Sequence, residues 1–428
     1  MESSTKNHTT FEESTIIRND ERLATLALSI PLQESHTAFT EALILIYGEA
    51  LSAGAGTLTR DQFLDAESKL GSQIHINGDS KHIHITLSSL DTSLLPTLAL
   101  LELMLMKPTF AQSEIKRIKE LLINSLILSK EDARSRAYEG FVNALTSVED
   151  KRYMFSIDTL IENIKKITTK DLKKFHSTLW HSKWIFTAAG SRASTQKISS
   201  NLKKLRGTAE KKADTTSSAI PFKNQTKRTI VLLDIPHKQN IEFSIGNTLL
   251  LRQNDPEYAA FVFGMSVLAL YGGFSGRLMS TVREKEGLTY SIYGQAEKVT
   301  KKEQGFWRIA TFFSPKDAEK GIEATLREIK LICEKGITEN ELKRFKAIIN
   351  TRSALVNDSL LKKVREIQGL RENDISDSEY EDFKAKLQKM TLKEVHLALS
   401  NHINLKTLVI SGAGPVKEVK KQIEGFAK

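Results

Sequence analysis

A single cysteine, Cys333, occurs in 428 residues. That excludes an intramolecular disulfide and any zinc site built from paired thiolates. With 22 glycines and 8 prolines the chain is neither collagen-like nor of low complexity. Aromatic residues make up 7%, and they do not interleave with basic ones in any stripe. Basic residues exceed acidic ones by 62 − 52 = 10, a modest surplus spread over stretches such as Lys116-Arg117-Ile118-Lys119 and Lys343-Arg344-Phe345-Lys346. These read as solvated helix faces, so no nucleic-acid partner is expected. No apolar run reaches the roughly 18 residues needed to cross a bilayer, so no transmembrane segment is expected. The opening residues Met1 to Lys6 lack an apolar core and do not read as a signal peptide. A cytoplasmic protein, or a chain from which a leader has been removed, agrees equally well with that start.

What is present is ordinary globular composition, 40% apolar and 27% charged. The length suggests two or three domains at roughly 150 residues each. Residues 206–228 are polar, small and aperiodic, and read as a linker between a half at 1–205 and a half at 229–428. The halves resemble each other. Ser113-Glu114-Ile115-Lys116-Arg117-Ile118-Lys119 matches Asn340-Glu341-Leu342-Lys343-Arg344-Phe345-Lys346 at an offset of 227 residues. Thr168-Thr169-Lys170-Asp171-Leu172 matches Thr391-Leu392-Lys393-Glu394-Val395 at an offset of 223. A strand ending in glycine follows each second match, Trp184 to Gly190 and Thr407 to Gly412. Two matches in order, with near-equal offsets, point to duplication.

Hydrophobic periodicity supplies the elements. Leu23 to Ile30 reads as a strand, Thr37 to Ser52 as a buried helix and Thr59 to Leu70 as an amphipathic one. Residues 72–76 and 81–85 alternate with period two around Asn77-Gly78-Asp79-Ser80, a hairpin signal. Long helices are expected over 93–106 and 112–145. The second half opens with strands at Thr229 to Leu233 and Ile241 to Ile245, and Asp255-Pro256 is expected to start a helix. Hairpins and long helix pairs imply an α+β fold: two halves, each a mainly antiparallel sheet backed by helices on one side.

The densest functional signal is Tyr271-Gly272-Gly273-Phe274-Ser275-Gly276-Arg277-Leu278, continuing to Arg283-Glu284-Lys285-Glu286-Gly287-Leu288-Thr289-Tyr290. Ser275 is a capping residue for a helix that Gly287 can close in a left-handed cap. Arg283 then sits in the last turn and Tyr290 at the start of the next strand. A helix end and a strand start can aim both side chains at one spot. A fixed cation beside a phenol suits a carbonyl whose oxygen gains charge.

This stretch resembles the second-domain signature of the M16 metallopeptidase family (pitrilysin and mitochondrial-processing-peptidase relatives), whose pattern is Gly-Gly-Phe-Ser-Ser-Arg-Leu followed by Arg-Glu-Lys-x-Gly-Leu-x-Tyr. The resemblance covers essentially the whole chain. It implies duplicated halves of the LuxS/MPP-like metallohydrolase type, and it carries the family's substrate-contacting, catalysis-assisting Arg and Tyr onto Arg283 and Tyr290. Active members also hold zinc with His-x-x-Glu-His on the first buried helix. Here those positions are Leu45, Gly48 and Glu49; shifting the glycine anchor from Gly54 to Gly56 gives Tyr47, Ala50 and Leu51. The third ligand position falls on Ser125. Neither register contains a histidine, so the standard metal centre is not expected in this chain.

The resemblance therefore implies a non-catalytic subunit, not active alone. It would give Arg283 and Tyr290 in trans to a homologous M16 subunit bearing His-x-x-Glu-His and holding the zinc, with peptides as substrates. An inactive scaffold or peptide-binding protein is the alternative, and a homodimer in isolation is open. By resemblance the compartment is bacterial, periplasmic or secreted if a leader is removed, otherwise cytoplasmic. One substitute metal site needs weighing. If the hairpin pairs His75 with His82, then His75, His82 and His84 share a face opposite Ile74, Ile76, Ile83 and Ile85. Three imidazoles on a sheet are a zinc donor set, although a polar outer face is the simpler reading.

Overall fold

The computed structural model describes residues 2–8, 10–207, 220–270 and 276–427, the side chains of residues 2, 3, 353, 357 and 358 excepted. Most of the expected linker, 208–219, and the Tyr271 to Ser275 part of the signature lie outside the described residues. Two compact units divide the chain. One comprises Met1–Ile127, Phe155–Ser218 and Ala354–Ile375; the other comprises Leu128–Met154, Ala219–Ser353 and Ser376–Lys428. Each unit thus includes one short segment from the opposite half of the sequence.

The first unit holds strands β1 (Glu2–Asn7), β2 (Phe11–Ile17), β3 (Leu23–Pro31), a two-residue pair β4 (Gly54–Ala55) and β5 (Leu58–Thr59), then β6 (Gln73–Gly78), β7 (His82–Leu90) and β8 (Trp184–Gly190). Six of them form a sheet in the order β1-β2-β8-β3-β7-β6. Only β2 and β8 run parallel. The second unit holds β9 (Thr229–Asp234), β10 (Ile241–Leu249), β11 (Ile292–Glu297), β12 (Gly305–Phe313) and β13 (Val409–Gly414), in the order β11-β12-β10-β13-β9. Only β13 and β9 are parallel. The two sheets have the same topology strand for strand, with β1 added to the first. This is the structural form of the duplication read from the sequence.

Each sheet packs its main core against several helices on one face. In the first unit Leu26, Leu28 and Ile30 of β3 join Ile83, Ile85 and Leu87 of β7 and bury Tyr47, Leu98, Leu101 and Ile198 from the helices. The opposite face is not bare. Ile16, Ala27 and Ala189 are buried there against Leu360, Val364 and Ile367. The spacing of those three puts them on one side of the helix Leu360–Glu372. The second unit repeats the device. The helix Ala133–Leu145 buries Phe141, Val142 and Leu145 with Phe306 and Val409, and Ala133 and Ala137 with Ile235 and Ala413. One-sided backing of each sheet was the expectation; each also carries a helix on its second face.

The same device breaks the long helix expected over 112–145. The structure has two, Gln112–Ser129 and Ala133–Leu145. The Asp132 carboxylate accepts from the backbone N–H groups of Arg134 and Ser135 and so starts the second. Likewise the helix after Asp255-Pro256 starts later than expected, spanning Tyr258–Ala269 with Asp255 to Glu257 in a turn.

Candidate functional site

Arg283 sits on a short π-helical segment, Met279–Lys285. Met279 and Val282 are buried on its inner side, which orients Arg283 and Glu284 toward the outer side. The wide turn appears at its end, where the Glu286 N–H bonds the Thr281 carbonyl five residues back. Such turns are uncommon and often mark functional sites. Gly287 follows with φ +64, the left-handed conformation that glycine adopts without a Cβ penalty. Its N–H bonds the Arg283 carbonyl, and the chain reverses toward β11.

Tyr290 lies two residues before β11, which begins at Ile292 rather than at Tyr290 itself. The cause is local. Thr289 is buried, its hydroxyl accepting from the Ser291 N–H and from the Thr311 hydroxyl of β12. Anchoring Thr289 inward turns Tyr290 outward, where it is 68% exposed. The Arg283 guanidinium carbon stands 5.0 Å from the centroid of the Tyr290 ring. That is a cation–π approach, worth about 0.5–1 kcal/mol at an exposed position. The structure brings together the two residues the sequence singled out.

A second arginine, missed by the sequence reading, fixes the start of this segment. Arg277 donates to Glu341 through Nε at 2.9 Å and Nη2 at 2.7 Å. Glu341 also accepts from the Thr338 N–H at 2.8 Å and its hydroxyl at 3.0 Å. Ser280 and Thr281 donate their hydroxyls to the Arg277 carbonyl. The capping pattern Thr338-x-x-Glu341 was visible in the sequence; its arginine partner was not.

The positions of the family's zinc motif hold Leu45, Gly48 and Glu49, of which only Glu49 carries a metal-donor side chain. On the helix Ala38–Leu51, Leu45 is half-buried, Gly48 buried and Glu49 exposed. Gly48 is pressed against β6: a Cβ there would stand 3.1 Å from the Ile76 carbonyl oxygen. In the alternative register Tyr47 is fully buried, its hydroxyl 2.7 Å from His176 Nδ1, and burial pushes its pKa well up. Ser125 is exposed on the helix Gln112–Ser129. At Cys333 burial, with some help from Glu334, raises the thiol to about 12, which disfavours the thiolate.

The hairpin register differs from the expected one. His75 pairs with Thr86, and Asn77 with His84. Asn77 and Gly78 extend β6, because Asp79 makes the turn: its Oδ1 accepts from the N–H groups of Lys81 and His82 at 2.7 and 2.8 Å. The triad of His75, His82 and His84 is therefore not the one that converges. Among the described residues, Asp79, His82 and His84 bring donor atoms within 4.8 Å of one another. His84 Nε2 faces Asp79 Oδ2 at 3.4 Å, while its Nδ1 faces Ser29 Oγ at 3.1 Å and Glu372 Oε1 at 3.4 Å. Burial opposes a charge on His84, but the two carboxylates outweigh it and raise its pKa to about 9. His82 is depressed by its burial.

A pocket of about 420 Å³ in the second unit is lined by residues such as Phe222, Asn247, Leu250 and His402, and by neither Arg283 nor Tyr290.

Comparison with known proteins gives relatives of the same kind as the sequence signature. Residues 166–349 match the family described as Peptidase M16 inactive domain. Over those residues the chain is similar to an M16 inactive domain. A curated relative, "Non-peptidase homolog YmxG" of Helicobacter pylori, is 21% identical over 379 residues, covering 86% of this chain and 83% of the relative. The fold matches a solved peptidase M16 inactive domain from Pseudomonas fluorescens with TM-score 0.83 at 21% identity, over 97% of this chain and 98% of that one. It also matches a structure titled as a protease from Helicobacter pylori, with TM-score 0.80 at 13% identity, over 96% and 98%. The periplasmic protease PqqL of Escherichia coli matches with TM-score 0.74 at 14% identity, over 96% of this chain and 46% of that one. The M16 resemblance and the α+β architecture read from the sequence are thereby borne out.

Proposed function

We propose that this M16-like chain is the non-catalytic subunit of a two-chain zinc peptidase and that Arg283 and Tyr290 are its contribution to the shared site. The observation that carries the reading is the Arg283 guanidinium stacked over the Tyr290 ring, 5.0 Å from its centroid, with the ring itself open to solvent. Leu45, Gly48, Glu49 and Ser125 supply no zinc ligand set, so the catalytic metal and its water belong to a partner with His-x-x-Glu-His. The partner's zinc would polarise the scissile carbonyl. Arg283 then offers a fixed charge and Tyr290 a neutral O–H donor to the oxygen as it becomes an oxyanion. Peptides are the substrate class.

The test begins with co-purification from the native source, this chain as bait. A stoichiometric partner bearing His-x-x-Glu-His is the expected result. In the reconstituted pair, Tyr290→Phe keeps the stacked ring and removes only the donor. It is expected to lower kcat by about 10²-fold or more, the scale of one lost oxyanion donor, with the pair still assembled. Unchanged turnover in Tyr290→Phe and Arg283→Ala would sink the role of these residues.

The second reading, an inactive scaffold or peptide-binding protein, draws on the name of the curated relative, a non-peptidase homologue. Recovery of this chain only with partners lacking the zinc motif would favour it.

A further inference from the structure

The mouth of the β6–β7 hairpin concentrates three metal-ligating side chains on one side of the sheet. Asp79 belongs to the turn, and His82 and His84 lie two residues apart on β7, so strand alternation aims both imidazoles the same way. Their ring centroids are 5.5 Å apart. Asp79 spends one carboxylate oxygen on the backbone of the turn, which fixes the side chain and leaves Oδ2 directed at His84 Nε2, 3.4 Å away. In a tetrahedral zinc site with bonds near 2.0–2.1 Å, ligand atoms stand about 3.3 Å apart. One edge of such a tetrahedron already exists, and all three donors fit within 4.8 Å.

The support behind the donors is as telling as the donors. Glu372, on the helix Leu360–Glu372, reaches His84 Nδ1 at 3.4 Å, and Ser29 of β3 approaches the same nitrogen at 3.1 Å. Ser29 also donates to Glu372 and accepts from Gln368 Nε2 at 2.8 Å. A carboxylate on the far nitrogen of a histidine is how metal-bound imidazoles are oriented and made more basic. Asp79 remains partly exposed at 55%, so the site is open to solute.

We propose that Asp79, His82 and His84 bind one divalent ion of the zinc class, with Glu372 as the positioning residue behind His84 and the remaining coordination positions open to water. This two-histidine, one-carboxylate set is separate from the family's helix-borne motif and from the metal assigned above to a partner. It concerns the first unit of this chain alone, and its failure would leave the role of Arg283 and Tyr290 untouched.

The test is zinc titration of the purified full chain by calorimetry, with cobalt absorption spectroscopy as a second readout. The expected result is one saturable equivalent of Zn²⁺ and visible Co²⁺ bands of low-coordinate intensity. His82→Ala and Asp79→Asn should abolish both. His75→Ala, on the same face of the same hairpin but outside the cluster, should bind like the wild type. Glu372→Gln should weaken binding by about 10-fold or more. Asp79→Asn keeps the turn's backbone acceptor, so it remains informative if His82→Ala misfolds. Absence of saturable uptake would overturn the site and leave His84 as a charged link between Asp79 and Glu372. So would full binding by folded His82→Ala and Asp79→Asn, or its loss in His75→Ala.

Discussion

Arg277 and Glu341 form a two-pronged ion pair, 2.9 and 2.7 Å long, that ties the start of the Arg283 segment to the cap of the helix Glu339–Asp358. Burial by itself would raise the Glu341 carboxyl. The hydrogen bonds from Arg277 and Thr338, with the Arg277 charge, outweigh it and hold the pKa below the usual glutamate range. A carboxyl depressed in the folded state adds stability that is complete above its unfolded pKa of ~4.3 and fades as pH falls through the folded value. Glu341→Gln is therefore expected to cost about 2 kcal/mol at pH 7, in line with charged hydrogen bonds. The gap to wild type should close as the pH drops from about 5 toward 3. Denaturant melts across that range check it; a gap that stayed constant with pH would show that the charge contributes nothing.

Gly276 begins the same segment where no side chain fits. A Cβ there would lie 2.9 Å from the Leu270 nitrogen and 3.0 Å from the Ala269 Cα, both backbone atoms at the end of the helix Tyr258–Ala269. Backbone cannot yield as a flexible side chain can. Gly276→Ala is expected to cost about 1–3 kcal/mol by overpacking. In the reconstituted pair it should also reduce turnover, because Arg283 rides on the displaced segment. A melting temperature equal to wild type would mean that the approach relaxes freely.

The sequence made much of this visible, for identifiable reasons. The β3 strand, the helix Ala38–Leu51 and the pairing of Arg283 with Tyr290 all follow from local pattern: burial period, caps, and a helix-closing Gly287 between Arg283 and Tyr290. The hairpin register did not, because Asn77-Gly78 is a strong turn signal that loses to the Asp79 side chain, which caps two N–H groups. The polar partners Glu372 and Arg277 were equally hidden. Glu372 reaches His84 from 288 residues away, across a segment that belongs with the first sheet although it lies in the second half of the chain. No periodicity records a contact of that range. The strands β1 and β2 also escaped notice: both are largely polar in sequence, and β1 lies at the edge of the sheet.

Restoring the family's zinc motif on the first helix is expected to fail. Leu45→His and Glu49→His would place imidazoles one turn apart on a half-open face, a geometry helices accept. Gly48→Glu is the obstacle. Its Cβ would press on the Ile76 carbonyl oxygen at 3.1 Å, where the helix meets β6. The carboxylate would then need a route past a backbone acceptor that repels it. Ser125 still leaves the third ligand position without a carboxylate. The triple variant should lose about 1–3 kcal/mol relative to the double histidine variant and show no zinc-dependent peptide hydrolysis. Stability measured on both, with a fluorogenic peptide assay in added zinc, checks the two halves of the argument separately. Hydrolysis by the triple variant would mean that the loss of the zinc motif is confined to three side chains, and that the packing of Gly48 on β6 does not stand in the way.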